Sequence, residues 1–390
     1  MKEVYIVSSA RTAIGDFMGG LSSLSNVELG TIAAKEVLER ADLSPNEVEE
    51  VVCGMIYKGG SKGNPGRQIQ IAAGMPVEGY ACTIDQQCGS GMRALEVLSQ
   101  QISLDKTGIG VAVGVESMSN ASYILNGARK IRMGDVKLVD ALTYDGLNCA
   151  MCDYHMGITA ENLAEKYGIT REEQDELALI SNERALAAIE EGKFKEEIVP
   201  VVIKGRKGDT IFEQDEHPRH VTIEALGKLK PAFLKEGTVT AGNASGINDG
   251  AAAVLMASGE MVEKFGLKPV AKVLATASAG VEPKYMGIGP VYAIPKALKY
   301  SGIRMDQIGY FEINEAFAAQ FLACNRELKL NMDNVNVNGS GIALGHPVGA
   351  TGVRIVISLI SELKRRNAQY GVASLCVGGG PAMATVIEML

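Results

Sequence analysis

Apolar and polar positions along the chain change period repeatedly, and those changes predict alternating strands and helices. Tyr80 to Ile84 reads as an extended run, after which Met92, Leu95, Leu98 and Ile102 recur at helical spacing. Cys88, in Asp85-Gln-Gln-Cys-Gly-Ser-Gly91, therefore falls at a strand-to-helix junction. A matching succession returns at an offset of 260 residues. Leu38 to Asp42, Leu43-Ser-Pro-Asn-Glu-Val48 and Val51 to Gly54 parallel Leu298 to Gly302, Ile303-Arg-Met-Asp-Gln-Ile308 and Phe311 to Asn314. Gly91-Met-Arg-Ala-Leu95 then parallels Gly352-Val-Arg-Ile-Val356, and Val111 to Gly114 parallels Leu375 to Gly378. Each half reads strand, helix, strand, turn, helix, strand, which predicts α/β layers with largely parallel pairing. One repeat of this length indicates a duplication, not a solenoid.

The helix Gly352 to Leu363 is apolar almost all round until Lys364-Arg-Arg366, so most of its surface must be buried. Sandwiching it between two sheets, beside its counterpart after Cys88, meets that requirement. The cysteine turn and whatever precedes Gly352 would then face each other.

Between the halves, Ser119 to Ala241 has a different texture. Thr170-Arg-Glu-Glu173 is a capping box opening a charged helix that reaches about Glu191. Polar, turn-rich runs surround it, as expected of a lid or binding excursion. Thr240 to Gly250, dense in turn-formers and small residues, returns the chain into a strand from Ala251 to Ala257.

With 390 residues, two or three domains are expected. No apolar run is long enough to span a bilayer. The N-terminal run Met1 to Val7 enters a strand pattern directly, without the features of a signal peptide. Seven cysteines, an odd number in a long chain, indicate reduced thiols and a cytosolic address. A net charge of −8 disfavours nucleic acid as a partner. A small anion remains compatible through Lys204-Gly-Arg206-Lys207 or Arg219-His220, although each cluster reads first as a solvated loop.

Candidate chemistry gathers at the junctions. Gly89, Ser90 and Gly91 let backbone N–H groups crowd a helix start, where the dipole favours an anion and a thiol becomes a thiolate near neutral pH. The competing reading is a small buried apolar cysteine whose glycines serve packing alone. His346, one of only four histidines, lies in the glycine-dense loop Asn338 to Gly352 before the buried helix, where it suits acid–base work. Those glycines lack the spacing of a dinucleotide fingerprint. Cys376 ends a strand before three glycines, and Asn314 ends another, able to hold a water or polarise a carbonyl. Cys149-Ala-Met-Cys152 with His155 has ligand-like spacing, but no second ligand pair accompanies it, so no metal is expected and both cysteines read as ordinary.

Taken together, the chain resembles the thiolase family. The matching stretches are Ser9-Ala-Arg-Thr-Ala-Ile-Gly15, Cys88-Gly-Ser-Gly91, Glu116-Ser-Met-Ser-Asn120, His155-Met-Gly-Ile-Thr-Ala-Glu-Asn162, Gly237 to Gly246, Asn314-Glu-Ala-Phe317, Gly345-His-Pro347 and Cys376-Val-Gly-Gly-Gly380. They span essentially the whole chain. The resemblance implies a duplicated α/β fold, layered αβαβα with buried central helices and an inserted loop domain. Its divisions fall at 1–118 with 242–267, 119–241 and 268–390. It further implies a reversible Claisen condensation of two acetyl-CoA to acetoacetyl-CoA and coenzyme A, within fatty acid metabolism, with no separate cofactor.

Residue by residue, the resemblance makes Cys88 the acyl-accepting nucleophile and His346 its activator. Cys376 becomes the group that moves the α-proton. Asn314, through a water, and His346 face one oxyanion, and the N–H groups of Cys88 and Gly378 face the other. Coenzyme A would lie against His155, Met156, Ala241, Ser245 and Phe317, with Arg219 near its phosphates. His155, Met156 and Met286 resemble the wall that keeps the acyl pocket short. Gly127 to Val139 resembles the loop that joins dimers into a homotetramer.

The chain departs from the family pattern at Gly380-Pro381-Ala382 and Gly339-Ser-Gly341, which puts only local backbone shape in question. Two alternatives stay open: a degradative 3-ketoacyl-CoA thiolase of broader range, and a non-catalytic thiolase-like protein that binds coenzyme A or lipid. A decarboxylating ketoacyl synthase would use Cys with two His, which the second thiol disfavours. Cys88 and Cys376, converging on one cleft, are also candidates for a reversible disulfide.

Overall fold

The computed structural model describes residues 2–390. The first half contains β1 (Val4–Thr12), α1 (Asn26–Arg40), β2 (Glu50–Gly54), α2 (Pro65–Ala72), β3 (Tyr80–Ile84), α3 (Ser90–Ser103) and β4 (Ile109–Ser117). An insertion carrying α4 (Met156–Tyr167) and α5 (Arg171–Glu190) precedes the half's last strand, β5 (Asn248–Ser258). The second half contains β6 (Ala271–Gly280), α6 (Pro290–Ser301), β7 (Tyr310–Ile313), α7 (Ala318–Leu328), α8 (Val348–Arg366), β8 (Tyr370–Cys376) and β9 (Pro381–Met389).

The strand order β7–β8–β9–β6–β1–β5–β4–β2–β3 makes the duplication visible, because it runs outward from the middle in the same way on both sides. The halves join edge to edge at β1 and β6, through Tyr5↔Lys272 and Ile6↔Ala271. β3 has only a single bridge, Phe311↔Val335, as its equivalent in the second half.

Largely parallel pairing is not what the sheet shows. β1–β5, β5–β4, β6–β9 and β9–β8 are antiparallel, and parallel pairing is limited to β4–β2, β2–β3, β8–β7 and a short contact of β1 with Ile198–Val199. The last strand of each half reverses beside its predecessor instead of crossing over a helix, as β9 does after the tight Val377–Gly380 turn.

Helices α3 and α8 share one core with both sheet halves, through Met92, Leu95, Leu98, Val353, Ile357, Val254 and Met383. α1 and α2 cover one outer face and α6 and α7 the other, giving five layers. Every residue of α8 from Val348 to Leu363 is buried, as its nearly continuous apolar surface requires. Its buried Arg354 is held by Glu312 at 3.1 Å. The basic residues Lys364, Arg365 and Arg366 fall in the last turn, where they complement the helix dipole, and Asn367 closes it in the left-handed conformation. The insertion shares its apolar cluster with the second half: Met156, Ala160 and Leu163 of α4 pack with Met286, Phe317, Cys324 and Cys376. The Thr170 capping box is present, and α5 ends one residue short of the expected Glu191.

Candidate active site between the two buried helices

Glycine lets the two central helices touch backbone to backbone. A Cβ on Gly91 would lie 2.7 Å from the Gly349 carbonyl oxygen, and one on Gly352 would lie 2.2 Å from the Met92 nitrogen. This contact sets the helix starts side by side, so the loops preceding them open on one cavity of about 540 Å³. Cys88, His346, Cys376 and Gly378 all line it, and farther out so do His155, Met156, Arg219, Ala241, Ser245, Met286 and Phe317. Asn314 stands behind this wall, its Nδ2 3.5 Å from His346 Nε2. The cluster Lys204 to Lys207 instead follows a strand of the hairpin Val201–Ile203/Thr210–Phe212, with Lys204 paired to Asp209.

Cys88 follows Gln87, whose φ of +49° is unusual for a residue with a side chain. Ser90 fixes this turn: its hydroxyl donates to the Gln87 carbonyl at 2.6 Å and accepts from the Gln86 N–H at 2.9 Å. The N–H groups of Gly378 and of Cys88 itself face the sulfur, as a helix-start anion site should. The expected thiolate is nevertheless not the resting state. Burial pushes the Cys88 thiol up to about 11, outweighing those two N–H groups, and the nearby carboxylates of Glu116 and Asp85 push the same way.

His346 is buried, which lowers it to about 3 and leaves the imidazole neutral. The Thr351 hydroxyl lies 3.1 Å from the Pro347 carbonyl and 2.6 Å from His346 Nδ1; when its one proton goes to Pro347 it accepts from Nδ1. In that arrangement the imidazole proton sits on Nδ1, and Nε2 keeps its lone pair on the Asn314 side. The His346 N–H donates to Asn248 Oδ1 at 2.9 Å. Gly345, at φ +97°, brings the backbone so close that a Cβ would lie 2.6 Å from the Asn248 side chain. Glu116 ties the halves together here, accepting from the N–H groups of Ile56, Tyr57 and Gly349, each at 3.0 Å.

Cys376, the last residue of β8, is almost wholly buried, and burial holds its thiol well above the ordinary range, with Cys88 adding to the effect. Met156 closes the cavity beside it, since a Cβ on Gly378 would lie 2.7 Å from the Met156 methyl. His155 stacks on Phe233 at 4.5 Å and 20°, and Phe233 meets Phe317 edge-on at 6.2 Å. The departure at Pro381 is locally accommodated, because its carbonyl accepts from Val377 N–H at 2.9 Å as β9 begins.

Sequence reasoning missed several residues. Phe233 and His217 are on the wall, yet both come from loops with no period to expose them. His217 pairs with Asp16 through Nδ1, and its buried Nε2 has no partner among the described residues. Thr351 and Asn248 act through hydrogen bonds that only the fold creates; the one available signal was their place in small-residue loops. Among the described residues, no group of three or more His, Cys, Asp or Glu could hold a metal, and no helix is long and apolar enough to cross a membrane.

Two thiols and an imidazole on a cavity between duplicated α/β halves define a narrow class of fold and site. The chain belongs to the thiolase family. The family model described as "Thiolase, N-terminal domain" matches residues 4–260, and "Thiolase, C-terminal domain" matches residues 267–389. The chain is 50% identical to an acetyl-CoA acetyltransferase of Pseudomonas aeruginosa over 99% of each chain. The solved structure of an acetyl-CoA acetyltransferase from Syntrophomonas wolfei superposes with a TM-score of 0.98 at 49% identity, covering 100% of both chains. That of human mitochondrial 3-ketoacyl-CoA thiolase gives 0.97 at 40% identity, covering 100% of this chain and 99% of the other.

Proposed function

We propose that the cavity transfers an acetyl group between coenzyme A thioesters, condensing two acetyl-CoA reversibly to acetoacetyl-CoA and coenzyme A. The observation that carries this reading is the convergence of Cys88, His346, Cys376 and Gly378 on one cavity. Cys88 attacks the thioester carbonyl while its proton passes to His346 Nε2, the nitrogen that the Thr351 contact leaves free. The N–H groups of Cys88 and Gly378 stabilise the oxyanion.

Cys376 is protonated at rest because it is buried, so it can give a proton before it takes one. Its proton goes to the departing coenzyme A thiolate. The resulting Cys376 thiolate removes the α-proton of the second acetyl-CoA, and His346, with Asn314 behind it, stabilises the enolate oxygen. The enolate carbon attacks acetyl-Cys88, the C–S bond breaks, and Cys88 regains its proton from His346. Every group thereby returns to its starting state.

His155, Met156, Ala241, Ser245, Met286 and Phe317 hold the pantetheine and acyl portion, and Arg219 meets the phosphates at the outer end. Met156 and Met286 support a short acyl pocket. The broader 3-ketoacyl-CoA range remains a second reading because thioether side chains yield easily; rates on acetoacetyl-CoA and on a longer ketoacyl-CoA separate the two. The divisions 1–118 with 242–267, 119–241 and 268–390 describe two catalytic halves and a loop domain that covers the substrate. A homotetramer completes the reading, supported by exposed Ile131, Met133, Val136 and Leu138 on the Gly127 to Val139 loop, and the protein is assigned to the cytoplasm.

Intact-mass measurement after brief exposure to acetyl-CoA tests the proposal. One acetyl adduct is expected, absent from Cys88→Ala. Acetylation that persists without Cys88 would overturn it, and binding of acetyl-CoA with no adduct would favour the non-catalytic alternative.

A further inference from the structure

Cys149 and Cys152 stand outside the catalytic cavity, yet the short hairpin that carries them touches it from two sides. The hairpin pairs Asn148↔His155 and Cys149↔Tyr154. Its turn is closed by the Cys149 carbonyl, which accepts from Cys152 N–H at 3.2 Å and from Asp153 N–H at 2.8 Å. A turn of this kind keeps its ends within about 7 Å, and a disulfide spans about 4.4–6.8 Å between Cα atoms. The two side chains share one apolar cluster, Cys149 within it and Cys152 packed against it. Cys152 is half-exposed, whereas Cys149 is buried in the same cluster as Met156, Phe317 and Cys376.

Two contacts link this turn to the cavity. Met151, between the cysteines, packs its methyl over Gly379, where a Cβ would lie 2.4 Å away. Gly379 belongs to the loop that aims the Gly378 N–H at Cys88. At the other end, His155 caps α4 by accepting from Gly157 N–H at 3.0 Å and stacks on Phe233. A covalent tie between residues 149 and 152 must re-aim Met151 or the strand that ends in His155.

We propose that Cys149 and Cys152 form a redox-active dithiol, oxidised by hydrogen peroxide to an intramolecular disulfide that weakens coenzyme A binding. Cys152, the more accessible of the two thiols, attacks the O–O bond, giving a sulfenic acid and one water. Cys149 then attacks the Cys152 sulfur; the S–S bond forms, the S–O bond breaks and a second water leaves. The two thiols lose two electrons, the peroxide gains them, and a dithiol reductant reverses the change.

The coupling to coenzyme A rests on the assignment of the cavity, whereas the disulfide does not. The test uses the full chain carrying Cys88→Ser, so that oxidation at residue 88 cannot confuse it. After stoichiometric hydrogen peroxide, alkylation and non-reducing peptide mapping, the peptide with Cys149 and Cys152 is expected to be two hydrogens lighter and to resist alkylation. Calorimetry is expected to show coenzyme A affinity lowered about fivefold and restored by dithiothreitol. Adding Cys152→Ser, or Cys152→Ala as a second version, is expected to abolish that loss. Free thiols, separate sulfinic acids, or a link from Cys152 to Cys376 overturn the proposal, as does a 149–152 link that leaves affinity unchanged. Reduced protein that fails to bind coenzyme A sinks the cavity's assignment and the coupling with it, while peptide mapping still judges the disulfide alone.

Discussion

The two helix starts at the cavity occupy equivalent places in the duplicated halves, yet they are held in opposite ways. The Cys88 turn is shaped locally: Gln87 takes the left-handed conformation, and Ser90 ties back to Gln86 and Gln87 within four residues. The His346 loop is held by Asn248 from the other half, by Thr351 one turn into α8 and by Asn314 from the end of β7. One scaffold thus presents a desolvated thiol on the cavity wall, which under the proposed function forms and breaks a covalent bond. The other presents a buried imidazole that must keep one tautomer. Duplication supplied two equal helix starts; under the proposed function, the difference in their restraints separates nucleophile from base.

The strongest way to break this comparison is to separate acyl transfer from condensation. Cys376→Ala leaves both helix starts intact but removes the proton offered to the departing thiolate; because a thiolate can leave unprotonated, acetyl-Cys88 should still form from acetyl-CoA, more slowly. Condensation and thiolysis should fall by about 10²–10⁴, the usual worth of a positioned acid–base group. Intact mass and steady-state turnover on the same sample check this. Loss of the adduct together with turnover would show that Cys376 is needed for the first step as much as for the second.

Next in size is the helix contact itself. In Gly352→Ala the new methyl meets backbone, the Met92 nitrogen, which no side-chain rotation can relieve. Overpacking of this kind costs about 1–3 kcal/mol, so a lower Tm is expected in thermal unfolding, with activity lost as the helix starts part. An unchanged Tm would mean that the close approach does not set the geometry.

How much of this was legible beforehand follows the same division. The apolar character of Val353 to Leu363 announced a helix buried on all sides, and the repeated order of elements announced its partner after Cys88. Both follow from periodicity, which any single chain displays. The candidate residues Cys88, His346 and Cys376 were legible because each ends or begins an element beside glycines. Thr351, Asn248 and Phe233 were not, because their contacts cross 5, 98 and 78 residues of chain (His346 to Thr351, His346 to Asn248, His155 to Phe233) and leave no local pattern. The antiparallel pairing of β5 and β9 was missed for a related reason: a strand's direction depends on the route of its connection, which hydropathy does not record. The state of the Cys88 thiol was misjudged because the helix start is visible in sequence and the desolvation opposing it is not.

That last point gives a pH test of the resting thiol. Since burial holds Cys88 near about 11, its alkylation by iodoacetamide in the absence of substrate should quicken by about tenfold per pH unit from about pH 7 to about pH 10, because only the thiolate reacts. The rate should level off only above about pH 11. A plateau already near neutrality, followed by peptide mapping to Cys88, would replace the neutral pair with a thiolate–imidazolium pair and erase the contrast drawn between the two helix starts.

The smallest expected effect is the most specific to the second helix start. Thr351 does not itself line the cavity; it acts through His346, accepting the Nδ1 proton while giving its own to Pro347. Thr351→Val keeps the shape and removes the acceptor. A buried donor left unpaired costs roughly 1–3 kcal/mol, and the imidazole can recover part of that only by moving its proton to Nε2, where it blocks acceptance of the Cys88 proton. The expected result is a fall in kcat of about tenfold with KM little changed, and recovery in Thr351→Ser, which keeps the hydroxyl. A merely structural threonine would instead lower Tm in both variants while leaving kcat in place, and the His346 side would then owe its tautomer to Asn314 alone.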